Sequence, residues 1–146
     1  MPNHCFNRVT ISVGNADNQN LAVLVDSLKS DDEDTCFDLN SIIPMPPELE
    51  NIGSSEAEEL NEIVSAKYKR DYGANNWYDW SVLQWGTKWN TYSCELEEQE
   101  DDYVVYTFDT AWSPPTGAIE VLREQCPDFE ITAFFDEPAM KIAGYY

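Results

Sequence analysis

Four cysteines, one histidine and a heavy load of carboxylates are the residues of this chain with chemical potential. His4 adjoins Cys5, but strand neighbours point to opposite faces. A Cys–His nucleophile would therefore need another cysteine brought close in space. Cys5, Cys36, Cys94 and Cys126 are widely spaced and form no C-x-x-C pair, so the short-range ligand pairs of a zinc site are missing. The acidic runs lack the glycine and terminal glutamate of an EF-hand loop. Gly86-Thr87-Lys88 is a fragment of a phosphate-binding loop without its first glycine or preceding strand. The expectation is no metal and no cofactor. Two of the many acids could be paired for acid–base chemistry, but the sequence does not locate such a pair. A hydrolase is thus the lesser alternative; enzymatic activity stays open, with binding favoured.

Two constellations point to binding. The first is carboxylate: Asp31, Asp32, Glu33 and Asp34 form one run, and Glu56, Glu58, Glu59 and Glu62 a second. Glu95, Glu97, Glu98, Glu100, Asp101 and Asp102 form a third. Alternate strand residues share a face about 6.5–7 Å apart, so Glu95 and Glu97 read as a spaced row. Glu58 and Glu62, four apart, share a helix face. Duplex DNA presents one charge per about 1.7 Å of axis, so runs that converged would imitate it. The second constellation is aromatic: Trp85, Lys88, Trp89 and Trp112 with Asp109 suit a pocket that stacks a flat, nucleotide-like ligand while Lys88 meets an anion. The competing reading is that these tryptophans pack an insertion onto a sheet and that Lys88 pairs with Asp109.

The balance of 28 Asp and Glu against 8 Lys and Arg gives a net charge of −20. Such a surface repels nucleic acid and anionic membranes and attracts basic protein surfaces. It also keeps a protein soluble, which is the simpler use of the charge. Five Trp, eight Tyr and six Phe set the chain apart from disordered acidic polymers. No apolar run approaches the roughly 18 to 20 residues of a membrane span, and the start lacks a signal-peptide pattern. The expected location is the cytoplasm, with reduced thiols.

Positioning these residues needs a scaffold, and its periodicities are visible. Cys5, Val9, Ile11 and Val13 alternate along a first strand, with Asn7 on the same face and in need of a hydrogen-bond partner if buried. A helix over about 17–29 follows, with Leu21, Leu24, Val25 and Leu28 as its stripe. A short strand is expected over 36–43, ended by Pro44-Met45-Pro46-Pro47. Ser55 with Glu58 fits a capping box opening a helix that turns Leu60, Ile63 and Val64 inward. A second short helix over 77–85 stops at Gly86. Strands over 91–96 and 103–109 read as a hairpin. Pro114 and Pro115 then open a helix whose stripe is Ala118, Ile119 and Leu122. Strands over 129–135 and 140–146 close the chain. The class is α+β: a ferredoxin-like βαββαβ antiparallel sheet with helices on one face, one domain over 1–146. It carries a helical insertion over 44–90 and an extra C-terminal strand.

Four ordered motifs carry a family resemblance. They are Met1-Pro2-Asn3-His4-Cys5-Phe6-Asn7-Arg8, then Phe37-Asp38-Leu39-Asn40 with Ile42-Ile43-Pro44-Met45-Pro46. Trp85-Gly86-Thr87-Lys88-Trp89 and Phe108-Asp109-Thr110-Ala111-Trp112-Ser113-Pro114-Pro115 follow. The chain resembles the YubB ferredoxin-like family of phage and plasmid proteins. It departs from that family at His4, where members usually carry tryptophan. The resemblance implies a ferredoxin-like fold without an iron–sulfur cluster and a mobile-element origin; it implies no activity. Joined to the acidity, it suggests a DNA mimic: an anti-restriction or anti-CRISPR inhibitor whose partner is a basic, nucleic-acid-binding host defence protein.

Overall fold

Alternation along β1 (His4–Ser12) sorts its side chains onto two faces: Cys5, Asn7, Val9 and Ile11 are buried, while His4 and Phe6 are exposed. A strand covered on one face behaves this way. The structure, a computed structural model, describes residues 2–31 and 34–146. In α1 (Asn18–Leu28) the buried stripe is Leu21, Val25 and Leu28, and the Asp17 carboxylate caps the helix by accepting the Asn20 amide at 2.9 Å. β2 (Tyr92–Gln99) and β3 (Tyr103–Ala111) form the expected hairpin. α6 (Thr116–Gln125) buries Ala118, Ile119 and Leu122 as its spacing requires. β4 (Glu130–Glu137) and β5 (Ile142–Tyr145) complete an antiparallel sheet of order β2-β3-β1-β4-β5. The first four strands and the helices α1 and α6 make the ferredoxin-like βαββαβ order, with β5 added at the β4 edge. Val9, Ile11, Val104, Tyr106, Phe108 and Ala133 from the sheet share one core with the stripes of α1 and α6.

Three local expectations are corrected. The segment over 36–43 is not a strand; its end forms α2 (Leu39–Ile42). The backbone groups there find side-chain partners instead of a ladder. The Asp38 carboxylate accepts the Asn40 amide, and the Asn90 carboxamide oxygen accepts the Leu39 amide, each at 2.9 Å. The capping-box helix divides into α3 (Ser54–Glu58) and α4 (Glu62–Tyr72). Asn61 is a good cap and a poor interior residue; its side chain accepts the Val64 amide at 2.9 Å. The restart turns Ile63 out to 83% exposure, and Leu60 and Val64 are only half-buried. The third correction is to the regular alternation of β2, which the site requires below.

α5 (Trp77–Gln84) ends at Gly86, whose φ of +92° places it in the left-handed region. The 86–87 turn is fastened to the end of β3. Ser113 Oγ donates to the Gly86 carbonyl at 2.6 Å and Thr87 Oγ1 to the Ala111 carbonyl at 2.8 Å. α5 and α6 approach so closely that a Cβ on Gly117 would lie 2.1 Å from the Gln84 carbonyl oxygen.

Candidate functional site

The strand register decides which charged side chains share a face. Cross-strand partners lie on one side of a sheet, so the face away from the core can be read row by row. One row runs Tyr92, Asp109, Phe6, Asp136, Ala143; the next Glu95, Thr107, Arg8, Phe134, Tyr145. A third runs Glu98, Val105, Thr10, Thr132, and a fourth joins Tyr103, Ser12 and Glu130.

Tyr92 lies on this face, and a first register shift between Tyr92 and Glu95, where Ser93 has a φ of +51°, brings Glu95 to it as well. Alternation from there would place Glu97 on this face and Glu98 on the other. A register shift between Leu96 and Glu98 changes that. Glu97 is the extra residue of a bulge, and Glu98 takes the position opposite Val105 on the same face as Glu95. Glu97 also reaches this face, pairing with Arg8 at 3.0 Å. Glu95, Glu97, Glu98, Asp109, Glu130 and Asp136 thus meet a single arginine among the named rows.

One neighbouring group registers that charge. The Tyr103 phenol is held above its ordinary pKa, first by its hydrogen bond to Glu98. Partial burial raises the Asp109 carboxyl above the usual carboxylate range, opposed by nearby His4. His4 Nδ1 lies 2.6 Å from the Tyr92 hydroxyl.

The remaining acidic segments line separate recesses. Asp31 and Asp34 border one of about 450 Å³ with Asp38, Asn40 and Asn90; Asp32 and Glu33 lie outside the described residues. Glu58 and Glu62 border another of about 590 Å³ with Asp79 and Lys69, while Glu56 and Glu59 stand exposed beside it in sequence. Glu100 and Asp101 border a third against Asn18, Leu21 and Val25 of α1, and the Asp102 carbonyl accepts the Val13 amide. No one of these recesses gathers all three acidic segments. Asp109, Glu130 and Asp136 join the open face without belonging to any acidic run. For Asp109 and Glu130 the signal was their position in two predicted strands; Asp136 lies one residue beyond the strand expected over 129–135.

Of the aromatic constellation, Trp85, Lys88 and Trp89 come together around a pocket of about 360 Å³, joined by Asn40, Met45, Glu50, Trp77 and Asn90. Trp85 is 3% exposed and its indole donates to the Ile43 carbonyl at 2.9 Å, so it packs structure as well as lining the pocket. Lys88 Nζ sits 4.3 Å from the centre of the Trp89 ring, rather than forming an ion pair with Asp109. Asp109 and Trp112 are not among that pocket's lining residues. Asp109 belongs to the open face. Trp112 is half-exposed in the turn after β3, with φ of +71° and its amide bonded to the Asn3 carbonyl.

The thiols of Cys5, Cys36 and Cys126 are held above their ordinary range, each first by burial. Burial pushes Cys5 up to about 11, and Cys5 lies on the face opposite His4. Burial and a hydrogen bond to Cys94 push Cys36 up to about 12. A thiol held protonated is a weak nucleophile. Among the described residues, no group of three or more His, Cys, Asp or Glu side chains is arranged to hold a metal ion, and no helix is long and apolar enough to cross a membrane.

Residues 88–146 match a family model described as the ferredoxin-like domain in Api92-like protein. No curated protein matches the chain. Among solved structures, a protein api92 from Yersinia pseudotuberculosis is similar, with a TM-score of 0.52 and 10% identity, over 99% of this chain and 93% of that one. At that identity the likeness is one of fold.

Proposed function

We propose that this is an acidic binding protein whose open sheet face occupies a basic, nucleic-acid-binding groove on a partner protein. The observation that supports this best is the β2 bulge. It adds Glu98 to the side that carries Glu95 and Glu97, beside Asp109, Glu130 and Asp136 and against the Arg8 guanidinium. Among the described residues only three ion pairs form, all between solvent-exposed groups, so the charge of −20 is largely uncompensated within the fold. The sheet fixes the spacing of the carboxylates in advance, while each long side chain still loses rotamer freedom on docking, and complementary fields speed the encounter. With the resemblance to phage and plasmid proteins of the YubB family, the partner is a host defence enzyme and the role is anti-restriction or anti-CRISPR inhibition by DNA mimicry.

The experiment is affinity capture from a bacterial lysate at low and high salt, with and without competing duplex DNA. Wild type and a Glu95→Gln, Glu97→Gln, Glu98→Gln variant are run side by side. The reading expects a nucleic-acid enzyme that is released by salt and by DNA and is not retained by the variant. Recovery of no protein, or of one indifferent to the three substitutions, would sink it.

A further inference from the structure

The aromatic pocket lies apart from the open sheet face, and its chemistry differs. Trp85 is its buried floor, with Trp77, half-exposed Trp89 and Glu50 around it. Its polar rim is held in shape by bonds already made. The Asn90 carboxamide oxygen accepts the amides of Leu39 and Thr91 while its nitrogen donates to Asp38 at 2.6 Å. The Asn40 oxygen accepts the Met45 amide. The groups left to meet a ligand are therefore the indole rings, Met45, Glu50, Lys88 and the Asn40 amide nitrogen.

Two observations set the sign of that ligand. Lys88 Nζ lies 4.3 Å over the Trp89 ring, so this ring face already accommodates a cation, supplied by the chain itself. Asn40 and Asn90 also line the recess that holds Asp31, Asp34 and Asp38, so the pocket opens beside carboxylates. An anion entering here meets the field of a protein of net charge −20, whereas a cation is drawn in.

We propose that this pocket takes an arginine side chain of the basic partner. The guanidinium displaces Lys88 from the face of Trp89 and stacks there, with Glu50 and the adjoining aspartates as counter-charge. Arginine fits better than lysine because its planar, weakly hydrated cation stacks on an indole. The proposal rests on the partner being basic, but its test needs no partner.

Purified protein is titrated with N-acetyl-arginine amide, a cation without a carboxylate, and separately with AMP. The tryptophan indole N–H resonances are followed by NMR. Arginine amide is expected to move the Trp77 and Trp89 signals. Trp89→Ala abolishes binding and Glu50→Gln weakens it. Lys88→Ala removes the internal competitor and tightens binding by about two- to five-fold, the range a surface cation–π contact supports. Amide spectra confirm that each variant stays folded. The proposal is overturned if arginine amide moves neither signal, if Lys88→Ala leaves its affinity unchanged or lower, or if AMP binds and Lys88→Ala weakens that binding. The last outcome would assign the pocket to a nucleotide. Failure of the open-face glutamine variant in lysate capture leaves this titration untouched, so the two readings fail separately.

Discussion

Removing one hydroxyl, by Tyr146→Phe, should lower stability by more than the loss of an ordinary hydrogen bond. Asn7 is fully buried on the core side of β1, and its side-chain nitrogen donates to the Cys5 carbonyl at 3.0 Å and to Thr110 Oγ1 at 2.9 Å. Its oxygen accepts the Tyr146 hydroxyl at 2.8 Å. Tyr146 is itself held by its amide on the Ala133 carbonyl and by Arg123 Nη2 on its backbone oxygen. Burial keeps the phenol protonated far above its ordinary range, so it remains a donor at any working pH. The variant leaves the Asn7 oxygen buried without that donor, at a cost of about 1–3 kcal/mol. With an unfolding entropy of roughly 2.1 cal/mol/K per residue, that corresponds to a Tm lower by about 3–10 °C. Thermal unfolding by circular dichroism and urea melts at neutral pH read both quantities. Asn7→Leu alone orphans the phenol in its turn. The double variant removes both partners and should cost less than the two singles together, with a coupling of about 1 kcal/mol or more. A Tm change within about 1 °C for Tyr146→Phe, or strictly additive costs, would refute the reasoning.

Three further outcomes follow from the same structure. Asp109→Asn should stabilise the protein at neutral pH. Because its folded pKa is raised, the carboxyl costs stability as pH rises from its unfolded value through its folded one, and the advantage of the variant should vanish below the carboxylate range. A constant difference across that window would contradict this. At pH 8, Cys5 and Cys36 in the folded protein should react with iodoacetamide at least about ten-fold more slowly than unperturbed thiols, by peptide mapping of the alkylated protein. Labelling at the rate of urea-unfolded chain would be the opposite result. Gly117→Ala places a methyl carbon against the Gln84 backbone and should cost about 3 kcal/mol, read by the same urea melts; a wild-type midpoint would show that α5 and α6 part easily.

How much of this was legible in the sequence depends on the range of the interaction. Val9 and Ile11 alternate, and Ala118, Ile119 and Leu122 recur at helical spacing, because each follows from burial of one side of one element. The demand for a partner at Asn7 was readable too, although Tyr146 as that partner was not. The misread segment over 36–43 is settled by Asn90, whose carboxamide bonds the Leu39 amide across 51 positions of sequence. Ile63 reads as core if the helix begins at Ser55, and as surface once Asn61 starts a new one. At the candidate site, the acidity of β2 was visible, but the bulge at Glu97 is a property of two paired strands. The convergence of Asp109, Glu130 and Asp136 needs three strands, since β3 and β4 each pair with β1 and not with each other. Lys88 had a carboxylate as its expected partner and rests instead on its neighbour Trp89.

The most direct test of the open-face account is displacement. Fluorescence anisotropy follows a labelled duplex bound to the enzyme recovered by capture, as purified wild type or the Glu95→Gln, Glu97→Gln, Glu98→Gln variant is added. Wild type should release the duplex, less effectively as salt rises, and the variant should not. A duplex that stays bound while wild-type protein joins the same complex would contradict it.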